Sequence, residues 1–120
     1  MTHRISSSST VKASVRKSGK GRGRKRRGAP SAAQSEELII LLEEAAEVIH
    51  ISAKILRFGL QSYHPLDSAR TPNNVLLEQE IGDFEAVVER IKKTGLGVTG
   101  RGIGRARRHK HVRLQRWLST

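Results

Sequence analysis

Apolar side chains recur every three to four residues from about Ser31 to Phe58, so the first pattern in this chain is a long helix. Projected at about 100° per residue with Leu38 at zero, the segment carries two apolar sectors. One, around zero, holds Leu38, Leu42, Ala45, Ile49, Ala53 and Leu56; the second holds Ile40, Val48, Ile51, Ile55 and Phe58. Ser31 followed three residues later by Gln34 has the spacing of a capping box, and Phe58-Gly59 marks the stop. Residues 60 to 71, LQSYHPLDSART, contain a proline and several turn formers and read as a loop. Thr71-Pro72 then has the form of a helix start, a cap followed by proline at the first helical position, and the apolar period continues to about Lys93. Two long helices joined by a short loop run antiparallel. The expected fold is all-α: these two helices plus a short C-terminal helix over 108–118, after a flexible Gly/Arg-rich connector over 95–107.

Two apolar sectors on one helix exceed what a single neighbouring helix can cover, so the bundle is expected to be completed by homo-oligomerisation, as a homodimer or homotetramer. Charge divides the chain further. Residues 1–34 hold ten Lys/Arg and no acid, and 90–120 hold ten more and no acid. All eleven acids lie between Ser35 and Glu89, against three bases, a net −8 for the segment that packs. The overall +12 therefore belongs to the ends. Residues 1–34 offer almost nothing to bury and are expected to form a disordered basic tail capable of nonspecific nucleic-acid contact, with the helical domain spanning 35–120. The lack of cysteine excludes disulfides and thiolate metal sites. No apolar run reaches the roughly 18 residues of a membrane span, so a cytoplasmic protein with no membrane partner is expected.

Within this acidic segment the helical projection puts acids where apolar side chains belong. Glu44 falls in the middle of the second sector of the first helix and Glu47 at its edge, while Glu43, His50, Lys54 and Arg57 form the polar face. On the second helix Glu80 sits among Leu76, Phe84, Val87 and Ile91, with Asp83 on the rim. A carboxylate in an apolar stripe must take up a proton or find a cation. Antiparallel packing would bring the pairs Glu44/Glu47 and Glu80/Asp83 around one point. Oxygen donors without thiols favour a hard divalent ion, Mg²⁺ or Mn²⁺.

On these residues the chain resembles the MazG-like all-α nucleoside triphosphate pyrophosphohydrolase superfamily, whose motif is E-E-x-x-E and, after a spacer, E-x-x-D. EEAAE at 43–47 and EIGD at 80–83 match it, with Gly82 inside the second half. VIHISAKILRFG, NNVLLEQEIGDF and the terminal KHVRLQRWL look like small phage and bacterial members. The resemblance implies Mg²⁺-dependent hydrolysis of a nucleoside triphosphate to the monophosphate and pyrophosphate. It makes Glu44, Glu47, Glu80 and Asp83 metal ligands, and Glu43 an outer acid or the group that orients the attacking water. Lys54, Lys110 and Arg113 are candidates to pair with substrate phosphates, and Phe58, Tyr63, Phe84 and Trp117 are the available aromatic surfaces for a base. Two other readings compete with the enzyme: a nucleic-acid-binding helical dimer acting through its basic tails, and a catalytically inactive scaffold of the same fold.

Overall fold

A computed structural model describes residues 28–119. The basic stretch up to residue 27, to which the expected disordered tail mostly corresponds, lies outside the described residues. Three helices and no strand are found among the described residues: α1 (Ala32–Phe58), α2 (Asn73–Ile91) and α3 (Gly100–Leu118). The all-α class is as expected.

Helix α1 begins where local hydrogen bonding favours it. Ser31 is the N-cap, its hydroxyl accepting from Gln34 N at 3.2 Å while Gln34 Oε1 accepts from Ser31 N at 2.9 Å. The helix thus starts three residues ahead of the expected domain boundary at Ser35. Gln34 then uses its amide to tie the two helices together, donating to the carbonyls of Thr94 and Gly95 at 3.5 and 3.1 Å. Gly95, at φ 73°, takes the left-handed turn that an L side chain rarely adopts and so brings that carbonyl within reach.

At the other end α1 stops at Gly59, φ 96°, whose N–H closes on Ile55 O. The 59–72 loop is fastened at both ends. Asp67 accepts from Ala69 N and Thr71 N, each at 2.9 Å. The buried Asn73 donates its side-chain amide to Gly59 O at 3.0 Å, and its backbone N–H to Ser62 O. The Asp67 turn also corrects the expected start of α2: Thr71 N–H is drawn back into the loop, Pro72 is the N-cap, and no side chain caps the helix.

Helices α1 and α2 pack antiparallel, and their shared interior is thin. Ile51, Val87 and Ile91 are the buried apolar residues. It is the second sector of α1 that faces α2: Ile40, Val48 and Ile55 are half-buried beside Ile51. The sector around zero is largely uncovered, with Leu42, Ile49 and Leu56 at 68, 70 and 90% exposure.

The third element differs from expectation. The connector expected over 95–107 ends at Thr99, and helix continues unbroken from Gly100. Thr99 Oγ1 accepts from Gly102 N at 3.0 Å, satisfying an end group that the glycines would otherwise leave open, and Arg105 to Arg108 are good helix formers. α3 packs against neither α1 nor α2, and it extends from the hairpin as a basic arm.

Candidate metal centre

The stripe of α1 that meets α2 contains two acids one heptad apart. Glu37 is 9% exposed and Glu44 is half-buried. Their surroundings differ. Glu37 receives both of its hydrogen bonds from Arg90 Nε, at 2.7 and 2.8 Å. That hydrogen bond and the adjacent positive charge hold the Glu37 carboxyl below the usual glutamate range against the opposing effect of burial, and raise Arg90 in turn. This pair is an ordinary structural solution for an acid inside a stripe.

Helix packing carries the same register along to Glu44. Seven residues on from Glu37 on α1, and seven back from Arg90 on α2, Glu44 meets Asp83 rather than a base. Glu80, three residues earlier on α2 and on the same face, joins them. One carboxylate oxygen from each of Glu44, Glu80 and Asp83 lies within 4.8 Å of the others. Among the described residues no Lys or Arg forms an ion pair with any of the three. Glu80 is held above the usual glutamate range, first by partial burial and then by the charges of Glu47, Asp83 and Glu44. Three of the four expected ligands thus converge; Glu47 is exposed and stands outside the group, although its charge acts on Glu80.

Three converging carboxylates without a base suit a hard cation. Oxygens about 2.1 Å from one octahedral ion stand about 3 Å apart at adjacent positions and about 4.2 Å at opposite ones. The three oxygens, within 4.8 Å of one another, therefore close in by side-chain rotation to share an ion. Two of the donors are half-buried and Asp83 is exposed, so the locus opens to solvent on one side, where further ligands can enter.

The other expected residues are distributed as follows. Glu43 is exposed on the polar face of α1 and stands outside the group of three. Lys54, half-buried, lines a pocket of about 430 Å³ together with Phe58, Tyr63, His64, Asn73 and Leu76. Leu76 is one turn before Glu80 on α2, so this pocket adjoins the acids on the loop side. Its aromatic walls carry cations: Arg57 stands 5.1 Å from the Phe58 ring centroid and Arg70 5.8 Å from that of Tyr63. Phe84 is half-buried on α2 and does not line this pocket. Lys110, Arg113 and Trp117 belong to α3, which is not packed on the hairpin, and they are not brought to the acids.

Sequence reasoning missed the Glu37–Arg90 pair. The signal was present: Glu37 projects to about 260°, inside the same sector as Glu44. No family model, curated protein or solved structure matches the chain.

Proposed function

We propose that the protein is a Mg²⁺-dependent nucleoside triphosphate pyrophosphohydrolase, the reading implied by the EEAAE and EIGD motifs. The observation that carries it is the convergence of Glu44, Glu80 and Asp83, from two helices, with no Lys or Arg paired to them among the described residues. In this reading Glu44, Glu80 and Asp83, with Glu47 on the rim, hold Mg²⁺ or Mn²⁺. The ion supplies positive charge to the phosphate oxygens, which otherwise repel an attacking water. The chain supplies position. Lys54 stands seven residues beyond Glu47, about 10 Å along α1, where its ammonium can meet a phosphate while Phe58 and Tyr63 offer faces for a base. Glu43 remains as a group to orient water from the solvent side.

Pyrophosphate release from a panel of common and non-standard nucleoside triphosphates, with Mg²⁺ and the full chain, tests this directly. Turnover that stops in Glu44→Gln and Glu80→Gln is expected; no turnover on any nucleotide would refute it.

A second reading is favoured by α3, whose seven Lys/Arg and no acid extend from the hairpin. In it the chain grips nucleic-acid backbone through its basic segments. It expects affinity that falls steeply with salt and a shallower salt slope in Arg105→Glu/Arg108→Glu. The catalytically inactive scaffold expects the four acids splayed apart, against which the convergence of Glu44, Glu80 and Asp83 counts, and turnover of any nucleotide would rule it out.

A further inference from the structure

The uncovered face of α1 carries a more regular pattern than a merely apolar surface. Ile39, Leu42, Ala46, Ile49, Ala53 and Leu56 are spaced by 3, 4, 3, 4 and 3 residues, and every one is exposed. A strict alternation of three and four is the seam of a coiled coil, with a mean period of 3.5 that keeps one line of side chains turned to a partner helix. The seam is about 25 Å long and points away from α2 and from the acids. Nothing in the hairpin needs it.

We propose that this seam joins α1 to α1 of a second copy, antiparallel, about a twofold axis passing between Glu47 and Val48. The sizes of the side chains choose that register. It sets Leu42 against Ala53 of the second copy, Ile49 against Ala46 and Ile39 against Leu56, so that at four of the six levels a large side chain meets a small one. Half-buried Ala45 and Ser52 on one flank let the backbones approach closely. On the other flank the same register brings Glu36 opposite Arg57 and Glu43 opposite His50, all four of them exposed. By symmetry each pairing occurs twice. A parallel pairing offers no such match: the residues facing Glu43, His50 and Arg57 would be Leu38, Ala45 and Ser52. Charge complementarity therefore sets direction as well as partner.

Helix α3 is not the occupant. Its large apolar residues Ile103, Val112, Leu114, Trp117 and Leu118 are spaced by 9, 2, 3 and 1 and cannot follow a three–four seam. The proposal does not require the metal reading, since Glu44, Glu80 and Asp83 lie on the other side of α1; Glu43 is the one residue claimed by both.

The absence of cysteine permits a direct test of direction. Full-length Leu42→Cys and Ala53→Cys chains, mixed and mildly oxidised, should yield the mixed 42–53 disulfide and little of either self-linked species. In sedimentation the unmodified chain should be a dimer, and Ile49→Glu should weaken it by at least about a hundredfold, because the twofold repeats the buried charge. The circular dichroism of that variant should be unchanged, as Ile49 contributes nothing to the α1–α2 interior. A monomer at all concentrations, a dimer indifferent to Ile49→Glu, or self-linking of each single-cysteine chain would overturn the proposal.

Discussion

Replacing Glu80 by Gln should stabilise the protein when no divalent ion is present and remove its response to one. Gln keeps the shape of Glu and deletes the charge, exchanging one acceptor oxygen for an NH₂ donor. Two unit charges 4.8 Å apart repel by about 0.9 kcal/mol in water and about 3.5 kcal/mol at an effective dielectric of 20. Glu80 is half-buried and Asp83 exposed, so solvent screening keeps the gain near the lower figure, about 1 kcal/mol, or roughly 5 °C in Tm. The sign with pH is fixed by the direction of the shift. Glu80 binds its proton more tightly folded than unfolded, so stability falls as pH rises from the ordinary glutamate value of 4.5 through the raised one, and the loss is complete above it. The advantage of the variant should thus be full at pH 7 and vanish below the ordinary value. The assay is urea unfolding in EDTA at both pH values, repeated with Mg²⁺ or Mn²⁺. At a hundred times the dissociation constant the wild type gains about 2.7 kcal/mol and overtakes the variant. A variant less stable than wild type in EDTA at pH 7, or equal stabilisation of both chains by the ion, would refute the reasoning.

Gly82→Ala should raise stability by about 1 kcal/mol, because Gly82 is exposed in the middle of α2 and a Cβ there meets nothing within 4 Å; thermal melts with no upward shift would show that the position is constrained by something other than helix propensity. Arg90→Met should destabilise at pH 7 by leaving Glu37 inside the stripe without its partner, and the cost should shrink as the pH falls through the lowered Glu37 value, where the carboxyl takes up a proton. Denaturant titrations from pH 7 to pH 3 check this, and a cost that does not change with pH would contradict it.

How much of this was legible beforehand depended on whether a signal was local. The ends of α1 follow from Ser31, Gln34 and Gly59, each acting within a few residues, and the sequence places them correctly. The start of α2 does not follow from Thr71-Pro72, because the Thr71 hydroxyl that would cap is turned to Asp67 together with its N–H, a contact specific to this loop. In the 95–107 stretch glycine was weighed as a breaker, yet one hydroxyl from Thr99 and the run from Arg105 to Arg108 outweigh it. The acids at 44, 80 and 83 were readable because a helical projection exposes a charge among apolar neighbours. Glu37 shows the same displacement and was overlooked because it belongs to no motif. What no projection of single helices supplies is the register between them, which decides that one inward acid receives an arginine and the other a second acid.

That register makes the two positions a controlled comparison within one molecule. Glu37 and Glu44 occupy equivalent places on α1, and Arg90 and Asp83 equivalent places on α2, so Asp83→Arg would rebuild at Glu44 the ion pair that already exists at Glu37. If the carboxylates serve only to hold the helices together, this change is an improvement with no loss: a repulsion becomes an attraction, and unfolding in EDTA should require more urea. If they hold a cation, the same stabilised chain should bind no Mn²⁺ by titration calorimetry and show no stabilisation by it, since the guanidinium would occupy the point where the three oxygens converge. Greater stability together with loss of ion binding is the expected result. Mn²⁺ binding that survives in Asp83→Arg would place the ion elsewhere and separate the cluster from metal chemistry, because no cation shares the two remaining carboxylates with an arginine inserted between them.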